Sequence, residues 1–145
     1  GAVRYALPQP FEEMAHTADV GVRVEGRSPE EALARLCLAL SALLAGGGEV
    51  LVEREVDLEV PAGADPSQTA VAVLRELLFR FATERVIAGA VEVLRLDERG
   101  AALRVGFGRF DPARHEGADV KAVTYHLARF DREGDRWRAQ VLLDI

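Results

Sequence analysis

Lysine is almost missing from this sequence: of 18 basic residues, Lys121 alone is not arginine. A compact, strongly hydrated ammonium on a flexible stem does work that a planar guanidinium cannot, so a lysine kept once is a candidate for a role of its own. The plain alternative is an accident of an arginine-biased composition. Cysteine is scarce too. A single Cys37 excludes an internal disulfide, and three histidines without cysteine pairs argue against a zinc site. A reducing, cytoplasmic setting is therefore expected. Long apolar runs are absent: nothing approaches the roughly 18 residues of a membrane helix, and residues 1–10 lack the basic and apolar regions of a signal peptide. Positive charge is in deficit. A net charge of −6 argues against holding RNA or DNA through phosphate neutralisation, and points instead to a protein partner or a cation.

What is present describes one globular domain over residues 1–145, with 49% hydrophobic and 29% charged residues. Residues 1–10 read as an arm, Phe11–Met14 as a short strand, His16–Asp19 as a polar turn and Val20–Glu25 as an alternating strand. Ser28-Pro29-Glu30-Glu31 is a helix start, with a capping serine, a proline at the first helical position and a carboxylate near the positive helix end. Leu33, Leu36, Cys37, Leu40, Leu43 and Leu44 follow at helical spacing to the stop at Gly46-Gly47-Gly48, with Ser41 off that stripe. Cys37 reads as a buried small hydrophobe.

Val56, Leu58 and Val60 alternate with acidic residues as a half-buried strand. Asp65-Pro66-Ser67-Gln68 opens a second helix that runs toward Ile87 and ends at Gly89, with Val71, Leu74, Leu77, Leu78 and Phe81 inward and Arg75 largely off the stripe. The remainder reads as two hairpins, 91–110 and 120–143. Gly106 and Gly108 around Phe107 suggest a bulge or a close backbone approach. The expected class is α+β: two layers, a largely antiparallel sheet and two main helices.

Candidate chemistry gathers in a few acidic and basic positions. Residues 136–143 alternate as a strand with Trp137, Ala139, Val141 and Leu143 on one face, and Asp144-Ile145 follow. If the strand is ordered to its end, the Asp144 and terminal carboxylates lie together, and oxygen groups of this kind suit a hard cation; a frayed, solvated end is the alternative. Asp19 is a second acidic candidate, or a turn residue bonding its own backbone. His16 reads as ligand, proton carrier or turn stabiliser. His115 reads as exposed in a polar turn. By strict alternation Tyr125 points with Lys121, while His126 faces the other layer in a structural role.

Three stretches together resemble the archease family: His16-Thr17-Ala18-Asp19-Val20-Gly21 with Ser28-Pro29-Glu30-Glu31-Ala32; Asp111-Pro112 with His115-Glu116 and Val120-Lys121-Ala122-Val123-Thr124-Tyr125-His126; and Trp137 with Leu143-Asp144-Ile145. The resemblance spans essentially the whole chain. It implies a small cytoplasmic protein, not itself an enzyme, that activates the GTP-dependent RNA ligase joining 3′-phosphate or 2′,3′-cyclic phosphate ends to 5′-hydroxyls in tRNA splicing and RNA repair. The activator promotes the ligase's guanylylation and multiple turnover. The resemblance also implies a divalent metal, calcium, held by Asp19, Asp144 and Ile145, and a part for Lys121 in activation. It implies a strand-helix-strand-strand module with a related unit inserted. One departure is Gln68–Leu74, where many family members carry acidic residues and a tryptophan. Against this reading stand a free-standing metal-dependent phosphohydrolase with His16 as base, and a chaperone-like interaction module.

Overall fold

The structure is a computed structural model that describes residues 1–16 and 19–145, with Ala15 and His16 as backbone only. The Thr17-Ala18 step of the expected turn lies outside the described residues. Among the described residues, eight strands and two helices follow in order: β1 (Arg4–Ala6), β2 (Glu12–His16), β3 (Asp19–Gly26), α1 (Pro29–Ala45), β4 (Arg54–Pro61), α2 (Pro66–Glu84), β5 (Val86–Asp97), β6 (Gly100–Arg109), β7 (Ala122–Glu133) and β8 (Arg136–Asp144). They form two antiparallel four-stranded sheets, ordered β1-β5-β6-β4 and β2-β3-β8-β7. The fold is α+β, with the antiparallel pairing and the two helices expected from sequence.

The insertion is visible in the topology. β4, α2, β5 and β6 are a contiguous strand-helix-strand-strand unit set between α1 and β7, and β3, α1, β7 and β8 repeat its order. In each unit the last strand pairs between the other two. The arm at 4–6 is a strand, not a lead-in: it pairs with β5 through Arg4↔Glu92 and Ala6↔Ala90.

Helix α1 starts where its sequence says. Ser28 is extended at the N-cap, its Oγ accepts from the Glu31 N–H at 3.1 Å, and Glu31 Oε1 reaches back to the Arg27 N–H at 3.0 Å. Ser41, read as off the stripe, is buried with its Oγ donating to the Cys37 carbonyl. The reason is that α1 packs against β5 of one sheet and β3 of the other, so almost its whole circumference is covered. Each buried leucine there contributes on the order of 1.5–3 kcal/mol. Cys37 is buried on this helix, and burial pushes its thiol up to about 12, which keeps it an inert hydrophobe.

Helix α2 is capped by Asp65, which accepts from Gln68 N–H and the Ser67 hydroxyl. It ends earlier than expected. Arg85 takes the left-handed conformation at φ 56° and stops it, while Ile87 and Gly89 belong to β5. Gly89, Gly106 and Gly108 instead make room for segment 50–52: a Cβ on Gly108 would lie 2.3 Å from the Leu51 carbonyl oxygen, and one on Gly106 2.8 Å from Val52. The close approach read from Gly106 and Gly108 is this crossing. Among the described residues, no helix is long and apolar enough to cross a membrane.

Candidate functional site

One end of the second sheet brings the acidic candidates into a row. β3 begins with Asp19 and β8 finishes with Asp144, and because the strands run antiparallel these residues are direct partners. The row continues on both sides, His16 opposite Asp19 and Ala122 opposite Asp144. Asp19 is therefore the first residue of a strand, opposite His16 on the far side of Thr17-Ala18. Val22 and Val24 of β3 are in the core, so alternation puts Asp19 on the opposite sheet face, and Asp144, as its partner, on that same face. Both are half-buried, and Ile145 beyond them is exposed.

Lys121 joins this row through its backbone. Its N–H donates to the Asp144 carbonyl at 2.7 Å, one residue before β7 begins, and its side chain is exposed. What places it there is the crossing from the inserted unit back to the outer one, residues 110–121. The Asp111 carbonyl accepts from the Arg114 and His115 N–H groups, which closes a tight turn. Further along, the Ala118 N–H donates to the Leu43 carbonyl at 2.9 Å, and Gly117 lies so close that a Cβ would fall 2.1 Å from that oxygen. Gly46, left-handed at φ 61°, lies under Glu116 in the same way. The glycines that end α1 thus form the seat of the loop that delivers Lys121.

His115 is the keystone of that loop, contrary to its expected exposure. It is 4% exposed, stacks on Phe110, accepts the Asp111 N–H on Nδ1 at 2.9 Å and meets the Glu49 carbonyl with Nε2 at 2.8 Å. An accepting Nδ1 assigns the ring proton to Nε2, so the neutral tautomer satisfies both contacts. The ring is consumed by structure and is not a ligand. His16 has a backbone place beside Asp19; its side chain lies outside the described residues.

Strict alternation fails in β7. Thr124 pairs with Leu142 and Arg129 with Gln140, so five steps along β7 oppose two along β8 and three residues are extra. Leu127 adopts φ 57° within this bulge, its carbonyl accepting from Gln140 Nε2 at 3.0 Å. Tyr125, His126 and Leu127 are all exposed as a result. His126 does not face the other layer. The Tyr125 ring is covered instead by Arg75, whose guanidinium carbon is 4.1 Å from the ring centroid and whose Nε donates to the Val123 carbonyl at 2.9 Å. Arg75 was invisible as a site residue in the sequence because only tertiary packing brings α2 onto β7.

The donor chemistry at the row is hard oxygen, from the two cross-strand carboxylates, with Ile145 one residue beyond Asp144. Among the described residues, no three His, Cys, Asp or Glu side chains come together as a ready-made cage. A cation at this end of the sheet would therefore take its remaining ligands, out of about 6–8 for calcium, from water or a partner. A cleft of about 400 Å³ lined by Leu96, Phe130 and Trp137 lies elsewhere, toward the opposite end of β8 from Asp144, and none of its lining residues belongs to this row.

Residues 11–145 match the family model of the Archease protein family. Protein archease of Pyrococcus furiosus is 35% identical over 140 residues, covering 93% of this chain and 98% of the relative. Protein archease of Methanopyrus kandleri is 36% identical over 141 residues, covering 94% and 99%. The solution structure of Methanobacterium thermoautotrophicum protein 1598 superposes with a TM-score of 0.71 at 26% identity, covering 93% of this chain and 98% of that one. The crystal structure of a Thermotoga maritima archease, described as a possible chaperone, shares the fold with a TM-score of 0.60 at 22% identity, covering 97% and 99%.

Proposed function

The chain belongs to the archease family, and on that premise we propose that it is a non-catalytic protein cofactor that activates a GTP-dependent RNA ligase in tRNA splicing and RNA repair. In this reading Asp19, Asp144 and main-chain oxygens of Ile145 hold a divalent cation, calcium, and Lys121 acts beside it. The single observation that carries the reading is the register of β3 and β8: it makes Asp19 and Asp144 direct partners, with the Lys121 N–H bonded to the Asp144 carbonyl.

Two carboxylates placed opposite each other on one sheet face favour a cation between them, since like charges directly opposite are destabilising. When bound, the cation supplies a concentrated positive charge with coordination positions left for partner oxygens. The protein's own groups orient that charge. β3 and β8 hold the aspartates on rigid strands, and the loop seated on α1 holds Lys121 near enough to engage an acidic or phosphate group of the same partner. The partner we propose is the ligase, whose guanylylation this protein promotes; the net charge of −6 makes a protein surface a better fit than RNA.

The test is a guanylylation time course of the cognate ligase with this protein at substoichiometric ratio. Multiple-turnover stimulation that is lost in Asp19→Ala, with the variant's thermal midpoint preserved in the absence of metal, supports the proposal. An unchanged ligase time course overturns it. A chaperone-like interaction module is the second reading, favoured by the exposed Phe79, Tyr125 and Leu127; it expects ligase binding without stimulated guanylylation.

A further inference from the structure

The bulge in β7 is a strained feature whose return to the fold is small: the Leu127 carbonyl accepts from Gln140 Nε2, and Arg75 lies over the Tyr125 ring. Leu127 holds a left-handed backbone that a branched side chain disfavours, at a cost on the order of 1–3 kcal/mol. Its side chain gains nothing from it, being 49% exposed, and Tyr125 beside it is 47% exposed. Bulges on edge strands re-aim side chains, and β7 is the edge of its sheet.

Helix α2 extends the same surface. Its N-terminal end, Asp65 to Thr69, shares a cleft with Phe130, whereas Arg75 reaches Val123 and Tyr125, so the helix runs antiparallel to β7. Phe79, one turn beyond Arg75 on the same side of the helix, therefore lies toward the β7 end that carries Lys121, and it is 60% exposed. Charge sharpens the picture. Several arginines elsewhere pair with carboxylates, Arg104 with Asp57 and Arg138 with Glu25 and Glu133 among them. Arg75 meets a carbonyl and a ring, those of Val123 and Tyr125, while the Lys121 side chain is exposed. On an acidic protein, the exposed Phe79, Tyr125 and Leu127 thus belong to the same two elements, α2 and β7, as Arg75, and Lys121 lies just before β7 at the end of the sheet where Asp144 lies.

We propose that this α2/β7 face, formed by Arg75, Phe79, Lys121, Tyr125 and Leu127, is the surface that docks a segment of the partner protein carrying carboxylates beside apolar side chains. The proposal rests on the ligase-activator reading and names the docking face within it. The carboxylates answer Arg75 and Lys121; the apolar side chains cover Phe79 and Leu127, a contribution that a phosphate backbone would leave unused. Docking here places the partner beside the end of the sheet that holds Asp19 and Asp144.

The experiment measures affinity for the cognate ligase and for single-stranded RNA by titration calorimetry, together with stimulated guanylylation, for wild type, Arg75→Glu and Leu127→Gly. Glycine accepts φ 57°, so Leu127→Gly relaxes the backbone while removing the exposed side chain. Both variants are expected to bind at least about tenfold more weakly, to stimulate at saturating concentration, and to keep the calcium-induced rise in thermal midpoint. If wild type binds and stimulates while both variants bind as tightly, the docking face is overturned and the activator reading stands. If wild type neither binds nor stimulates, the activator reading falls and this assignment with it. If the variants lose salt-sensitive binding to single-stranded RNA and not to the ligase, the face is a nucleic-acid surface and the proposal is overturned.

Discussion

Asp19 and Asp144 come from positions 125 residues apart and end as direct cross-strand partners on β3 and β8. No interaction local to either residue produces that pairing. It follows from the antiparallel register that Val22↔Val141 and Val24↔Ala139 lock by burying their side chains, because a one-residue slip would turn the whole apolar face of either strand outward.

The aspartate pair predicts a specific response to calcium. Calcium at one hundred times its dissociation constant should stabilise the wild type by about 2.7 kcal/mol, since only the folded state holds the site. Asp144→Asn should remove most of that increment while leaving the metal-free unfolding free energy within about 1 kcal/mol of the wild type. Differential scanning calorimetry with calcium and with chelator reads both values; an undiminished calcium response in the variant would dismiss the site.

Lys121 predicts a separation of stability from activity. Its side chain is exposed, so Lys121→Arg and Lys121→Ala should each change unfolding free energy by less than about 0.5 kcal/mol in urea titrations. Stimulation of the ligase should fall in both, and arginine should not restore it if the compact ammonium is what the partner needs. Full activity in Lys121→Arg would show that charge alone suffices.

His115 predicts the opposite pattern. Replacing it by alanine strands the Asp111 N–H and the Glu49 carbonyl and removes the stack on Phe110. A loss of about 2–4 kcal/mol is expected from the two orphaned groups. Hydrogen exchange should show loss of protection in the 110–121 crossing before the rest of the fold, and Gly117→Ala should loosen the same segment by pressing on the Leu43 carbonyl. Uniform protection in both variants would refute the loop's role in seating Lys121.

The Tyr5 hydroxyl donates to Glu31 at 2.9 Å, tying β1 to the start of α1. Burial pushes the Glu31 carboxyl up, but bonds from the Arg27 N–H and Tyr5 and the charge of Arg35 outweigh it, so its pKa is lowered. Burial, then the bond to Glu31, raises that of Tyr5. A lowered carboxylate stabilises the fold above its unfolded pKa and loses that contribution as pH falls through the folded value. A raised phenol stabilises below its unfolded pKa and loses as pH rises through the folded one. Tyr5→Phe should cost about 1 kcal/mol at neutral pH, raise the Glu31 midpoint by NMR titration, and flatten the acid limb of the stability profile. An unmoved Glu31 midpoint would rule out the coupling.

Local physics made much of the molecule legible in the sequence. Ser28 and Asp65 cap their helices because their side chains accept the N–H groups three residues on, a relation contained within one turn. Val56, Leu58 and Val60 alternate because β4 has one face on the core and one in solvent. Asp19, Lys121, Asp144 and Ile145 stood out by residue type and by family resemblance. Long-range packing decided the rest. Ser41 is buried because two sheets close over α1, and His115 because the crossing loop folds back onto Glu49 and Phe110. Tyr125, His126 and Leu127 turn outward because β8 has three fewer residues to pair with β7. The sequence by itself determined the helices, the alternating strands and the identity of the acidic and basic candidates, all of them set within a few residues. Only the tertiary structure decided that Asp19 and Asp144 face each other with the Lys121 backbone bonded to their row, because register is set by which apolar faces bury each other across the whole chain.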